Sequence, residues 1–408
     1  DILKQDPAEV YDKMDYKTKI EYRNKIKEIS KKTKISEIYI AKKALELAQN
    51  TKKLGEEEQF IENKKTHIGY YILSDGKKEL LEMLTEKKVK IFSNNTKVKL
   101  YVASIITFTL LITIAISFVF YQSTKLLLPT ILLGILLLLP IENIVVQVIQ
   151  TILGKIVKPK LIPKMYFEKE VPKEYATFVV IPTIVKNADK VKEMMKKLEV
   201  YYLANKSENL YFALLGDCSS GKNETEIFDQ EVIEAGLQMT KKLNQKYAKS
   251  EFPKFHFLYR ARTWNAKEEC YLGWERKRGL LNQFNEIVLT NMQEKPINKE
   301  LQDNNMEQEE KNAKKFIIPK EWFQVNTLEN IKIPFIRYVI TLDADTELTL
   351  NSGLELIGAM AHILNKPILN TSKNLVIEGH GMMQPRIGID LEASNKSIFT
   401  KIYAGSGG

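Results

Sequence analysis

The sequence predicts an open, doubly wound α/β domain preceded by a two-helix transmembrane hairpin and a small N-terminal helical module. Three observations lead there. Two long, almost uncharged apolar stretches lie at 100–121 and 126–153. Beyond residue 165, short apolar runs alternate with helical periods, the pattern of strands joined by crossover helices. The first 98 residues are Lys-rich and helical in period. The domains expected are therefore 1–98, 99–157 and 165–408.

Composition sets outer limits. A chain of 408 residues is too long for one ordinary domain. It begins at Asp1 without an initiator Met and stops at Gly408 in a Gly-rich turn, so it reads as a piece of something longer. The formal charge is +10 and the pI about 9.1. That balance suits anionic lipid, phosphorylated ligands or nucleic acid, or simply keeps the protein soluble. No zinc-finger, homeodomain or RNA-recognition signature is present, so no nucleic-acid partner is expected. Two cysteines, Cys218 and Cys270, without a CxxC, make no disulfide framework and fit a reducing compartment.

In the N-terminal module, Ile38, Ile40, Ala41, Ala44, Leu45 and Leu47 mix with Lys and Glu as in an amphipathic helix over 37–50. Asp15 marks a helix start before Tyr16. The run His67–Leu73 reads as apolar and β-rich, followed by an Asp75-Gly76 turn and a helix over 77–84.

The first apolar stretch, 100–121, is uncharged and long enough for a hydrocarbon core of about 30 Å. The second is apolar except for Glu142, Asn143, Gln147 and Gln150, which predict an inward-facing side or an exit into the interface. Pro129 and Pro140 are compatible with membrane helices. A lipid bilayer is thus an expected partner. Lys87, Lys88, Lys90, Lys97 and Lys99 precede the pair, Lys155, Lys158, Lys160 and Lys164 follow it, and only Lys125 lies between. By the Lys/Arg bias both flanks belong to the cytoplasmic side.

In the α/β part, 176–185 is a strand, 187–203 a helix, 210–217 a strand ending on Asp217, 226–247 a helix and 255–259 a strand. Further on, 359–364 looks helical and 376–379 strand-like. The polar stretch 294–315 has no apolar period and reads as a surface excursion.

The stretch Tyr338–Thr346, "YVITLDADT", holds the strongest candidate chemistry. A β-branched apolar run, read as a buried strand, ends in Asp343 and Asp345. At i and i+2 of a strand, two carboxylates share a face. Two hard oxygen ligands suit Mg²⁺ or Mn²⁺, and such an ion commonly also holds substrate phosphates. The other reading is an acidic turn at a strand end. Thr183, Asp217 and the aspartate pair all fall at strand ends, where open α/β sheets bind ligands. Trp264-Asn265 and the segment "GWERKRG", 273–279, add aromatics and three cations between two glycines. Arg suits phosphate, and the glycines allow close backbone approach; a solvated basic turn is the alternative. No phosphate-binding GxxxxGK[ST] and no Ser/His/Asp set is present. His67, His256, His362 and His380 lack ligand spacing and are read as structural.

The order of these segments resembles the nucleotide-sugar half of a GT-A fold processive glycosyltransferase. More closely, the chain resembles cyclic β-1,2-glucan synthases of glycosyltransferase family 84. The resembling stretches are "DPAEVYDKMDYKTKIEYRNKI", "HIGYYIL", "NLYFALLGD", "RTWNAKEECYLGWERKRGLL", "YVITLDADTEL" and "GMMQPRIGIDL", in the family's order and spanning nearly the whole chain. The resemblance implies a GT-A-like domain, of the nucleotide-diphospho-sugar transferase type, in the bacterial inner membrane. It implies UDP-glucose as donor, a growing glucan as acceptor and transfer with inversion. By match, Asp343 and Asp345 hold the metal and diphosphate, Thr183 and Asp217 contact uridine, and Lys277 and Arg278 lie near the diphosphate or donor sugar beside Trp274. Gln384 and Arg386 face the acceptor. The family's base Asp and later acceptor elements lie after the segment where this chain stops, and Asp390 and Glu392 lack support for that role. Another processive β-glycan synthase, or a membrane-anchored nucleotide-sugar binding module without turnover, remains open as an alternative.

Overall fold

The computed structural model describes residues 1–51, 64–86, 94–157, 159–168, 170–247, 252–292, 320–329, 331–370, 372–373, 375–389 and 394–403. The readings made on 294–315, on Lys87, Lys88, Lys90 and Lys158, and on Asp390 and Glu392 lie outside these residues. The chain divides into two compact units, 1–11 with 16–162 and 12–15 with 163–408.

The first unit opens with α1 (Tyr16–Thr33) and α2 (Glu37–Gln49). Ser36 caps α2 by accepting from the Tyr39 amide. Ile40, Ala41, Ala44, Leu45 and Ala48 form its buried stripe, while Ile38 faces solvent. The run read as β-rich is helical: α3 (Ile68–Leu73) is followed by α4 (Lys77–Thr85). A short apolar run does not reveal its period, and here neighbours decide it. His67 just ahead of α3 is buried between Asp6 Oδ2 and Tyr22 Oη, each at 2.7 Å, and Asp6 also accepts from the Ile68 amide at 2.9 Å. That network fixes the first turn of α3 from two sides.

The two apolar stretches form α5 (Asn94–Thr124) and α6 (Leu127–Ile156), both long and apolar enough to cross a membrane. At 1.5 Å per residue each spans roughly 45 Å, more than a hydrocarbon core. Pro140 sits inside α6 without ending it. Glu142, Asn143, Gln147 and Gln150 are exposed on α6. Glu142 lines an open groove with Val102, Thr109 and Leu138, and Gln150 Nε2 lies 3.5 Å from Tyr101 Oη.

The second unit is mixed α/β around a mostly parallel five-stranded sheet. Its strands and helices follow in chain order as β1 (Thr177–Val185), α7 (Ala188–Ala204), β2 (Leu210–Cys218), α8 (Ile227–Lys246) and β3 (Phe255–Arg260). Then come a small hairpin of β4 (Thr263–Asn265) and β5 (Cys270–Leu272), α9 (Arg276–Asn291), β6 (Phe323–Asn326) and β7 (Tyr338–Thr341). Beyond the sheet lie α10 (Ser352–Ala361), the β8 (Ile368–Asn370)–β9 (Leu375–Glu378) hairpin and α11 (Ile398–Tyr403). The helix expected over 359–364 is thus mostly earlier in the chain, as α10, with a 3-10 turn after it.

Strand order is β6-β3-β2-β1-β7, with only β6 antiparallel. β1 to β3 build outward in one direction, and β7 then returns to the far side of β1. The topological switch point is therefore between β1 and β7, where such sheets open a ligand crevice. One face packs under α7 and α8 through Val179, Ile181, Phe212, Leu214 and Phe257. The other packs under α9 through Phe178, Val180, Leu215, Leu258, Leu280 and Phe284. Central strands buried on both faces read as continuous apolar runs, and β1, β2 and β3 do. β7 is an edge strand and half exposed, contrary to the buried strand expected from its sequence.

Candidate functional site

Sequence alternation decides what each strand end offers. On β2 and β3, Leu215 and Leu258 face α9, so Asp217 and Arg260, two residues further on, face the same way. Both are buried. Arg260 Nη1 lies 3.4 Å from Asp217 Oδ1 and donates to the Arg276 carbonyl at 2.9 Å. Its Nη2 donates to the Trp274 carbonyl. Arg260 thus ties the end of β2 to the turn that starts α9. Burial pushes the Asp217 carboxyl above its ordinary range, and Arg260 and Arg276 pull it part of the way back. Next to it, burial and the Asp217 charge push the Cys218 thiol up to about 11, so it stays protonated.

The turn itself is tight. A Cβ on Gly273 would run into Asp217 Oδ1, and one on Gly279 into the Trp274 carbonyl. Close backbone approach, the role expected for these glycines, is therefore used. Glu275 and Arg276 follow each other in the left-handed region, with φ of 51° and 48°. Such backbone costs about 1–3 kcal/mol per residue and persists only where surroundings enforce it. Arg260 beneath the turn supplies part of that enforcement. Arg276 donates to the Cys218 carbonyl at 3.3 Å and to Ser220 Oγ at 2.6 Å. From Arg276 onward this segment is the first turn of a helix.

A second buried arginine stands behind the first. Arg262 meets Asp229 with two nitrogens, at 2.5 and 3.0 Å, and Tyr259 Oη donates to the same carboxylate at 2.6 Å. Burial raises the Asp229 pKa, but Arg262, the Glu226 amide and Tyr259 outweigh it and hold the carboxyl below its usual range. Arg262 Nε also holds the Ser219 carbonyl at 2.8 Å, fixing the chain just after Asp217.

The aspartate pair sits at the opposite wall. β7 ends at Thr341, and Asp343 and Asp345 lie in the turn that follows, closed by the Thr346 amide on the Asp343 carbonyl at 3.0 Å. The shared face expected from strand alternation therefore does not apply to them. The turn is held from the α7 side: Lys197 Nζ donates to the Ala344 carbonyl at 2.7 Å and Tyr201 Oη to the Thr346 carbonyl at 2.5 Å. Both carboxylates are exposed. Across the crevice, Lys277 in the first turn of α9 forms an ion pair with Asp343 Oδ1.

The structure therefore brings together Asp217, Lys277, Asp343 and the 273–279 turn, with Trp274 half-exposed on that turn. Thr183 lies near the end of β1, opposite Gly216. Alternation places it on the face that carries Val179, Ile181 and Val185, away from the α9 face of Asp217. Arg278 turns back onto Glu275, at 2.6 and 2.7 Å. Gln384 and Arg386 are exposed in the coil after β9 and are not among the side chains paired around Lys277. His67, His256 and His362 are buried in structural contacts, as expected; burial takes His256 down to about 4.

Among the described residues, no group of three or more His, Cys, Asp or Glu side chains is placed to hold a metal ion. Asp343 and Asp345 offer two exposed carboxylates. That donor set fits Mg²⁺ in the form where a ligand's phosphates and water complete the shell.

Sequence reasoning missed Arg260, Arg262 with Asp229, and the two side chains of α7 that hold the aspartate turn. Arg260 left a signal: it closes the apolar run "FHFLYR" as Asp217 closes "LYFALLGD". The others join segments far apart in the chain and left none.

Fold and site define a class: an open, mostly parallel α/β domain with paired charged side chains gathered at its strand ends, in a chain that also carries two membrane-length helices. No protein-family model matches the chain. Along 401 residues it is 27% identical to the curated cyclic beta-(1,2)-glucan synthase NdvB of Rhizobium meliloti (strain 1021). The match covers 96% of the chain and 13% of that protein. The resemblance read from the quoted stretches thus has a named counterpart over nearly the whole chain.

Proposed function

We propose that this chain is the donor-binding part of a membrane glycosyltransferase of GT-A type that builds β-1,2-linked glucan from UDP-glucose. The observation that carries the reading is the meeting of Asp217, Lys277 and Asp343 around the 273–279 turn at the switch point. The similarity to a named glucan synthase supports it.

In this reading Asp217 accepts hydrogen bonds from the base or ribose, and Arg260 orients its carboxylate beforehand. Trp274 offers its half-exposed ring for stacking. The resemblance also gives Thr183 a uridine contact, which its place on the opposite face of the sheet does not support. Lys277 and Arg278 meet the diphosphate, where their charge opposes the negative charge growing on the leaving UDP. Asp343 and Asp345 would hold a Mg²⁺ or Mn²⁺ ion, which supplies further charge neutralisation at the diphosphate when bound. An acceptor hydroxyl loses its proton to a base, its oxygen bonds to the anomeric carbon, and the bond to the UDP oxygen breaks with inversion. Gln384 and Arg386 stand on the acceptor side. Both flanks of the helix pair are cytoplasmic in this reading, on the side where the Lys residues accumulate.

The test is incorporation of labelled glucose from UDP-glucose into glucan by the full-length protein in membranes, with Mg²⁺ or Mn²⁺. Asp345→Asn is expected to lower it by about 10²-fold or more. Full transfer by that variant would remove the metal assignment. Incorporation that another UDP-sugar supports equally well would remove glucose as the donor. Nucleotide binding without incorporation would favour a binding module.

A further inference from the structure

Three cations, Arg276, Lys277 and Arg278, occupy the first turn of α9, and no acidic residue accompanies them there. Cations are unfavourable at the positive end of a helix, where anions belong. Two of the three have other partners, Arg276 the chain after β2 and Arg278 the adjacent Glu275. Lys277 reaches instead to a carboxylate of the aspartate turn, 66 residues along the chain. It pairs with a carboxylate that the proposed function gives to a divalent cation. Both partners are about half-exposed, 47% and 62%, so neither is locked in place by packing.

An ammonium and a divalent cation cannot share one carboxylate cheaply. At about 4 Å their repulsion is roughly 2 kcal/mol even at the dielectric of water, and more in a crevice. Lys277 has a short route to relief, because an arriving diphosphate brings anionic oxygens to the same place. We propose that Lys277 is a resident counter-ion for Asp343 that makes metal binding depend on the nucleotide. Without nucleotide it occupies the carboxylate and weakens metal binding. When a nucleoside diphosphate binds, Lys277 transfers to its phosphate oxygens and frees Asp343 for the ion. Metal and nucleotide then bind with positive coupling, each raising the affinity of the other by the same factor.

This inference rests on the proposed function, and the experiment separates the two. Mn²⁺ binding to the full-length protein in lipid nanodiscs is measured from the electron paramagnetic resonance of free Mn²⁺, with and without UDP. In the wild type, UDP is expected to tighten Mn²⁺ binding by about tenfold or more. Lys277→Met is expected to bind Mn²⁺ alone about threefold to tenfold more tightly than wild type, a range consistent with losing an exposed pair and a nearby like charge. It is also expected to lose most of the enhancement by UDP. Lys277→Arg, which keeps the charge, is expected to bind Mn²⁺ alone as weakly as the wild type. Unchanged binding of Mn²⁺ alone in Lys277→Met, while wild type and UDP still bind Mn²⁺ through Asp345, overturns the counter-ion role and leaves the proposed function standing. Wild-type Mn²⁺ binding that Asp345→Asn leaves intact overturns the metal assignment itself.

Discussion

The floor and the rim of the crevice carry similar pairs in opposite settings. On the floor, Asp217 and Arg260 are both buried, and Arg260 also satisfies two backbone carbonyls of the turn above it. On the rim, Asp343 and Lys277 are both exposed and touch through one contact. A buried charge without its partner is expensive, so the floor pair can scarcely separate. An exposed pair contributes little, so the rim pair can exchange partners at low cost. The contrast separates the two pairs: the floor fixes the shape of the turn, and the rim is free to exchange partners.

The largest effect is expected where the floor is broken. Arg260→Met leaves a buried carboxylate and the Trp274 and Arg276 carbonyls without their donor. A loss of about 3–5 kcal/mol is expected, comparable to removing one partner of a buried pair. Thermal unfolding followed by tryptophan fluorescence checks it, and a change under about 1 kcal/mol would make the floor no more structural than the rim.

Behind the floor, Asp229 gives the next largest effect, with a sign fixed by its pKa. Its folded-state value is below the ordinary 3.8. A depressed acid contributes stability that is fully present above the unfolded value and is lost as pH falls through the folded one. Asp229→Asn should therefore cost about 2–3 kcal/mol at pH 7, from a weakened bidentate pair. The gap between variant and wild type should narrow as pH drops below about 3.8. Urea midpoints measured at pH 7 and near pH 3 decide this, and a gap that widens in acid contradicts it.

Much of this arrangement was legible in the sequence, for a physical reason. Strands buried on both faces must be apolar throughout, so β1, β2 and β3 stood out as runs, and Asp217 stood out where one stopped. The helices read over 187–203 and 226–247 match α7 and α8, which the structure caps at Asn187 and Glu226. Edge and surface elements were harder to read. β7 is only half buried, so its period said little about its place in the sheet, and the Asp343–Asp345 turn could pass for the end of a strand. The "HIGYYIL" run became helical because buried contacts to Asp6 and Tyr22 outweighed its β-branched and aromatic content. α9 was hidden because its first turn carries cations against the helix dipole, the reverse of a usual start. The feature that obscured the helix is the one that brings Lys277 to Asp343.

The smallest effect is expected at the rim, and it is the sharpest test of the comparison. Lys277→Met removes an exposed ion pair, which contributes about 0.2–1 kcal/mol. It also removes a cation from a helix N-terminus, which should return about 0.3–1 kcal/mol. The two terms oppose each other and are similar in size, so the net change in stability should lie within about 0.5 kcal/mol of zero. Salt screens both, and the difference between variant and wild type should shrink further in 1 M NaCl. Denaturation at low and high salt reads this directly. A loss above about 2 kcal/mol would mean that Lys277 holds the crevice together as Arg260 does. Near-neutral stability combined with altered nucleotide binding would fit a side chain that serves the ligand and leaves the fold unchanged.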